Sequence, residues 1–244
     1  MLIVTGGGTG IGRAVALAGQ AAGKRVLVTG RRSEPLAALS DLSEQTGRSS
    51  GRIEHLVCDN ADVDDVGRLA DRVTEPVHGL VLAAGGNPAT GRPDPASLRQ
   101  VAELYQATLD SNLRSTVLTL AALSGQLADD ASVVCFSSIG AEYSSGFYGP
   151  AKAAVAAYAA GQAAELGPRG IRVNCIAPGY ITDTEFFADQ MRSERAEQLR
   201  QQTALGRVGH PDDVVALVDF LLSPASRHIT GQNLHLNGGA FTTR

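Results

Sequence analysis

A tyrosine and a lysine in this sequence have the spacing that proton transfer to or from a carbonyl or alcohol oxygen would need. Tyr148 and Lys152 are four residues apart, so on a helix they lie on one face, one turn apart. A nearby ammonium stabilises phenolate, which predicts a tyrosine pKa below its usual value of about 10. Tyr148 is therefore a candidate general acid or base. The same spacing also occurs in amphipathic surface helices, so other residues must distinguish a catalytic pair from a surface pair.

Two further polar residues strengthen this hypothesis. Ser138 closes the apolar run 131–138, which places its hydroxyl at the carboxyl edge of a predicted sheet, where open α/β folds bind ligands. Asn112 lies in a helical pattern expected to pack on that sheet. Its alternative role is to cap or bend the helix.

A glycine-rich turn, residues 5–12, follows the first predicted strand. Glycines permit a tight turn and a close backbone approach to a pyrophosphate, and the helix that follows offers free N–H groups and a positive dipole end. Glycine clusters also close ordinary strand–helix corners. This one lies at the first strand-to-helix crossover, as a dinucleotide site requires.

The end of the second predicted strand indicates which dinucleotide binds. An acidic residue there would bind the ribose hydroxyls of NAD, but the sequence has Gly30, Arg31 and Arg32. A guanidinium can pair with a 2′-phosphate, so we predict NADP(H), with NAD(H) as the less favoured alternative. An ordinary surface arginine pair is the other interpretation.

Short apolar runs alternate with helical patterns along the chain, which predicts an α/β fold. The expected architecture is a Rossmann-type, doubly wound parallel sheet of about seven strands with helices on both faces. The predicted strands are 2–5, 25–29, 52–58, 79–83, 131–137, 171–176 and 233–236, and the predicted helices are 11–22, 34–45, 62–73, 97–128, 149–166 and 211–222.

We find no linker of domain-boundary length and predict one domain over residues 1–244. A polar segment at about 182–208 interrupts the alternation and predicts a substrate lid, with surface helices as the alternative. Five aromatic or apolar side chains suggest an apolar substrate pocket, although ordinary packing explains them equally well: Tyr143, Phe147, Phe186, Phe187 and Met191.

The bulk properties exclude several classes of protein. The formal net charge of -4 is unlike the basic footprint of a nucleic-acid binder. Cys58, Cys135 and Cys175 lack the spacing of a metal site or a disulfide framework. No membrane span and no signal peptide are apparent, so we predict a soluble, cytoplasmic protein.

The ordered motifs resemble those of the short-chain dehydrogenase/reductase family along essentially the whole chain. Its TGxxxGxG fingerprint is matched by Thr5, Gly6, Gly10 and Gly12, and its catalytic tetrad by Asn112, Ser138, Tyr148 and Lys152. The resemblance implies that the serine orients the substrate oxygen and the asparagine holds a water. The lysine would bind the nicotinamide ribose and lower the tyrosine pKa.

The resemblance also implies a set of cofactor contacts. Arg31 is the favoured contact to the 2′-phosphate and Arg32 the second choice, while Asp59 would contact the adenine or cap the next helix. A threonine after the Pro-Gly motif would bracket the carboxamide, but its offset leaves Thr182 and Thr184 undecided. The complete predicted set is Thr5, Gly6, Thr9, Gly10, Ile11, Gly12, Arg31, Arg32, Asp59, Asn60, Ala84, Gly85, Tyr148, Lys152, Pro178, Gly179, Ile181, Thr182 and Thr184.

The sequence departs from the family pattern in two other places. Leu82–Gly85 replaces the NNAG motif without its two asparagines, which puts local hydrogen bonding in doubt. The connection from Ser138 to Tyr148 is a few residues shorter than usual, which leaves the wall of the substrate pocket undefined.

The sequence therefore predicts an NADP(H)-dependent oxidoreductase acting on a small-molecule carbonyl or secondary alcohol, similar to a 3-oxoacyl-ACP reductase. The alternatives are an NAD-dependent alcohol or sugar dehydrogenase and a non-catalytic dinucleotide-binding protein. The resemblance implies a homo-oligomer, a tetramer or dimer, and the cysteine pattern predicts no metal site.

Overall fold

Seven parallel strands form one sheet in the part of the chain that the computed structural model describes, residues 1–45, 51–144, 146–184 and 193–243. The spatial order is β3-β2-β1-β4-β5-β6-β7. The order reverses between β1 and β4, which places a crevice at the carboxyl ends of these strands. The strands are β1 Leu2–Thr5, β2 Arg25–Gly30, β3 Arg52–Val57, β4 Val77–Leu82, β5 Leu127–Phe136, β6 Arg172–Pro178 and β7 Asn233–Leu236.

Helices cover both faces of the sheet, as predicted. Side chains of successive strand residues point to opposite faces, so Ile3 belongs to one apolar core while Leu2 and Val4 belong to the other. Residues of α3, α5 and α7 complete the first core, and residues of α1, α2 and α9 the second. The helices are α1 Gly10–Ala21, α2 Ser33–Gln45, α3 Val63–Arg72, α4 Leu98–Leu109, α5 Ser115–Leu123, α6 Gly140–Tyr143, α7 Tyr148–Leu166, α8 Ser193–Gln202 and α9 Pro211–Leu222.

The single helix predicted over 97–128 is instead two helices joined by a π-helical turn, Asp110–Arg114. Side chains in this region bond to the backbone one turn earlier: Thr108 Oγ1 donates to Leu104 O at 2.7 Å and Thr116 Oγ1 to Asn112 O at 2.8 Å. Such bonds compete with regular helix geometry and bend helices. The apolar pattern alone does not reveal that competition.

Strands β4 and β5 begin earlier than predicted. Val77 pairs with Leu127 before a register shift that precedes the pairing of Gly79 with Ser132. The polar residues Asp129 and Asp130 interrupt the apolar pattern within β5. The first half of the strand could therefore not be predicted from that pattern.

Part of the predicted lid segment is described. Helix α8 lies within it, but Phe186, Phe187 and Met191 lie outside the described residues. Among the described helices, none combines the length and apolarity that a membrane crossing requires.

Candidate active site

The glycine turn after β1 is a backbone cradle that excludes side chains. Gly6 has φ 65° and Gly10 has φ 51°, a region that favours glycine. A Cβ on Gly12 would stand only 2.3 Å from the carbonyl oxygen of Gly6. Helix α1 starts here, and its N-cap residue Thr9 makes no side-chain capping hydrogen bond. The first N–H groups of α1 are therefore suited to an anion such as a phosphate.

The segment after β4 lies against this cradle. The Ala84 N–H donates to Thr5 Oγ1 at 3.0 Å, and a Cβ on Gly6 would lie 2.9 Å from the Ala83 carbonyl oxygen. Thr5 thus ties β1 to the end of β4 in the absence of the two asparagines that the family motif carries.

A cavity of about 740 Å³, called the larger cavity below, opens at the carboxyl ends of β1, β2 and β4. It is lined by most of the predicted cofactor contacts, namely Gly6, Thr9, Gly10, Ile11, Gly12, Arg31, Arg32, Asp59, Asn60, Ala84, Gly85 and Thr184. The glycine cradle and the two arginines fit a phosphorylated dinucleotide.

The polar residues after β3 have more than one role. The Asn60 amide accepts from Thr29 Oγ1 at 3.0 Å and donates to Thr119 Oγ1 at 3.1 Å, so it connects β2 with α5. Asp59 Oδ1 accepts from Ala61 N at 3.0 Å. Asp62, rather than Asp59, caps α3, so the helix-cap interpretation of Asp59 is wrong.

Three members of the predicted tetrad meet in a smaller cavity of about 140 Å³: Ser138, Tyr148 and Lys152. Pro178, Gly179 and Ile181 also line it. The two cavities share five lining residues and therefore adjoin; these are Ile11, Ala83, Gly85, Gly86 and Thr184.

Ser138 and Tyr148 are hydrogen-bonded to each other. Ser138 Oγ also accepts from the Gly140 N–H at 3.0 Å, in the first turn of α6. The sequence did not predict α6, which fills the short connection before Tyr148. The serine hydroxyl is thus fixed by the backbone on one side and meets the phenol on the other.

Burial raises the pKa of Tyr148 to about 12, and the hydrogen bond with Ser138 offsets part of this rise. The predicted lowering of this pKa by Lys152 is therefore wrong for this structure. Lys152 Nζ lies 5.8 Å from the centre of the Tyr148 ring and donates to the Phe136 carbonyl oxygen at 3.0 Å. The desolvation of the phenol therefore determines the direction in which the pKa of Tyr148 shifts.

Lys152 is itself a buried cation, with 6% of its surface exposed. Burial lowers its pKa to about 8, because removal from water disfavours the charged form. Its partner carbonyl belongs to the last residue of β5, so the ammonium is held at the end of that strand, and both residues line the smaller cavity.

Asn112 lies in the π-helical turn and is fully buried. Its Nδ2 donates to the Gly86 carbonyl at 2.7 Å and its Oδ1 accepts from the Gly86 N–H at 3.2 Å. Asn112 lines neither cavity. Asn112 instead holds the backbone of Gly86, which lines both cavities.

The structure distinguishes the two threonines that the sequence left undecided. The N–H and hydroxyl of Thr182 both donate to the Gly209 carbonyl, at 2.9 and 3.2 Å, and Thr182 lines neither cavity. Thr184 lines both, which makes it the better placed of the two.

Two of the predicted substrate-pocket aromatics pack elsewhere. Tyr143 is 59% exposed and lies 6.2 Å from Phe241 between ring centres. Phe147 meets Tyr105 edge to face at 5.4 Å. Neither lines the smaller cavity.

The larger cavity also has lining residues that the sequence did not single out, among them Asn87, Pro88, Arg92 and Ser115. They follow β4 or lie at the start of α5. No motif marks them, because only the folded chain brings these segments beside the glycine turn.

The comparisons with known proteins agree with this geometry. A family model described as "Enoyl-(Acyl carrier protein) reductase" matches residues 6–241. L-rhamnose 1-dehydrogenase (NAD(P)(+)) of Azotobacter vinelandii is 31% identical over 98% of this chain and 96% of that protein.

Two solved structures are similar throughout. A short chain dehydrogenase from Burkholderia cenocepacia J2315 in complex with NADP has a TM-score of 0.86 at 33% identity, covering 98% of this chain and 96% of that one. A 3-oxoacyl-[acyl-carrier protein] reductase from Brucella melitensis with bound NAD has a TM-score of 0.86 at 27% identity, covering 99% and 91%. By its fold, its site and these matches, the chain belongs to the short-chain dehydrogenase/reductase family of oxidoreductases.

Proposed function

We propose that this protein is an NADP(H)-dependent oxidoreductase that interconverts a small-molecule carbonyl compound and its secondary alcohol, with reduction as the favoured direction. One observation carries the proposal: the hydrogen-bonded pair of Ser138 and Tyr148 lies in a cavity that adjoins the glycine cradle. A proton donor and a dinucleotide site then share one crevice.

Tyr148 is the proposed general acid. With a pKa raised to about 12, the phenol is protonated at neutral pH and has a proton to donate to a carbonyl oxygen. Ser138 would orient that oxygen, since its hydroxyl position is fixed through Gly140. The bound nicotinamide would supply or accept the hydride.

Lys152 and Asn112 have positioning roles in this proposal. Lys152 brings a positive charge to the smaller cavity, where it would bind the nicotinamide ribose. Asn112 holds the backbone at Gly86 in place. Thr184, Pro178, Gly179 and Ile181 would surround the carboxamide end.

Two arginines and the lack of a carboxylate at the end of β2 support the preference for NADP(H) over NAD(H). Arg31 lines the larger cavity, and Arg32 Nη2 donates to Thr9 Oγ1 at 3.4 Å. Guanidinium groups pair well with a phosphate. Because the relatives include complexes of both dinucleotides, the preference rests on these side chains.

The experiment is a comparison of kcat/KM with NADPH and NADH over a panel of acyl, alicyclic and sugar ketones. We expect turnover with at least one ketone and a preference for NADPH. A clear preference for NADH rejects the assigned cofactor. Dinucleotide binding without turnover of any compound, in either direction, favours a non-catalytic protein.

The oxidation of a sugar alcohol group is a second candidate, favoured by the similarity to L-rhamnose 1-dehydrogenase. L-rhamnose with NAD⁺ or NADP⁺ therefore belongs in the panel. Oxidation of the sugar with no reduction of any ketone would favour this alternative.

We also propose a homo-oligomeric assembly, a tetramer or dimer. Helix α7 carries exposed small residues at Ala153, Ala157, Ala160 and Ala164, which permit close helix contact between copies. Light scattering that shows a monomer would contradict this assembly.

A further inference from the structure

A third arginine reaches the larger cavity from a loop far from Arg31 in the sequence. Arg92 belongs to the connection between β4 and α4, and it lines the same cavity as Arg31 and Arg32. The family fingerprint does not include this position. The cavity is therefore lined by arginine residues from two separate chain segments.

The loop that carries Arg92 is held by its own hydrogen bonds. Thr90 N donates to Asn87 O at 3.0 Å and Arg92 N donates to Ala89 O at 3.1 Å. The Ala89 N–H also donates to Asn87 Oδ1 at 3.2 Å. Gly91 has φ 74°, a conformation that glycine adopts without strain.

Prolines restrict the same loop further. Pro88, Pro93 and Pro95 fix φ at three positions, and Ser97 caps α4 by accepting from Gln100 N. A loop restrained in this way presents Arg92 at a small cost in conformational entropy. Restraint of this kind suits a ligand contact.

The charge of Arg92 is available to a ligand. Its side chain is exposed, and over residues 1–45, 51–144, 146–184 and 193–243 it has no hydrogen-bond or ion-pair partner. Asp110, a carboxylate that lines the same cavity, accepts from Gln106 Nε2 at 2.9 Å and from Arg114 Nη1 at 3.5 Å. Arg31 is equally without a partner in the described chain.

We propose that Arg92 binds a phosphate group of the dinucleotide in the larger cavity, from a chain segment separate from that of Arg31 and Arg32. The inference rests on the proposed function, because it requires a phosphorylated dinucleotide in that cavity. The phosphate oxygens belong either to the 2′-phosphate or to the diphosphate. These two sources can be separated, since NADH has only the diphosphate.

The test is isothermal titration of the wild-type protein, Arg92→Ala and Arg92→Lys with NADPH and with NADH, in the absence of substrate. Arg99→Ala is the matched control: Arg99 is exposed on α4 and lines neither cavity. We expect Arg92→Ala to weaken NADPH binding by about tenfold or more, since a hydrogen-bonded contact between charged groups contributes that much. Arg92→Lys should retain part of the affinity, and Arg99→Ala all of it.

Each outcome decides the inference. If Arg92→Ala loses affinity for NADPH alone, the result supports a contact to the 2′-phosphate. If it loses affinity equally for NADPH and NADH, the result supports a contact to the diphosphate. Unchanged binding in Arg92→Ala, or an equal loss in Arg99→Ala, overturns the assignment of Arg92 alone. If the wild-type protein binds neither dinucleotide, the proposed function itself fails, and thermal unfolding of each variant checks that all are folded.

Discussion

Asn112 and Lys152 approach the same point beside the backbone of Gly85. A Cβ atom on Gly85 would lie 2.9 Å from Asn112 Oδ1 and 3.1 Å from Lys152 Nζ. The loop after β4 therefore brings Gly85 beside both the buried amide of the π-helical turn and the buried ammonium of α7. Two tetrad members that are distant in sequence are brought together across a glycine.

Replacing this glycine should impair catalysis more than folding. In Gly85→Ala the new methyl group must displace either the amide, which is held by several hydrogen bonds, or the end of the lysine. We expect kcat to fall by about tenfold or more, since misplacement of about 1 Å can cost two orders of magnitude. Steady-state kinetics and thermal unfolding measure the two effects separately.

Gly67→Ala is the matched control for that variant. Gly67 lies within α3, and an added Cβ meets no atom within 4 Å. The substitution should raise stability by roughly 0.5–1 kcal/mol, because alanine favours a helix over glycine. Unchanged kcat in Gly85→Ala would show that the close approach of Asn112 and Lys152 has no role in catalysis.

The glycine cradle gives a prediction about dinucleotide binding. Gly12→Ala places a Cβ 2.3 Å from the Gly6 carbonyl oxygen, so the turn must open. We expect destabilisation of about 1–3 kcal/mol and at least a tenfold loss of NADPH affinity in calorimetric titration. Retention of full affinity would mean that the turn does not form the phosphate site.

Lys152 makes stability depend on pH in a defined window. Its pKa falls from 10.5 to about 8 on folding, so between these values the unfolded chain binds more protons than the folded one. The free energy of unfolding must therefore rise as pH increases through this window. Below about pH 8 the buried charge persists, and its cost to stability is fully present.

Urea denaturation at about pH 7 and about pH 9.5 measures this effect, with Lys152→Met as the comparison that removes the titrating group. From the lower to the higher pH, the free energy of unfolding should rise by about 2 kcal/mol more in the wild-type protein than in the variant. Equal gains in both proteins would mean that Lys152 does not titrate in this range.

Much of the fold was predictable because burial on both faces leaves a direct trace in sequence. The run Leu2–Thr5 is short and almost wholly apolar, and the glycine turn follows it directly. The π-helical turn was not predictable, because it depends on which hydroxyls bond to the backbone. The extra length of β5 was hidden by Asp129 and Asp130.

The candidate site was predictable as a set of residues but not as a set of interactions. The pattern from Tyr148 to Lys152 fixed a shared helix face, yet the direction of the tyrosine pKa depends on burial, which only packing determines. The partners of Thr182 and Asn60 and the position of Arg92 depend on contacts between distant segments. No local spacing encodes such contacts.

Tyr148→Phe tests the central claim most directly, because it removes the phenolic oxygen and keeps the ring. Kinetics with a ketone substrate and NADPH should be paired with calorimetric titration of NADPH. We predict a fall in kcat by about 10²–10⁴-fold, the usual contribution of a general acid, with the dissociation constant of NADPH changed by less than about twofold. A variant that retains full activity would contradict the account, because some other group would then have to deliver the proton.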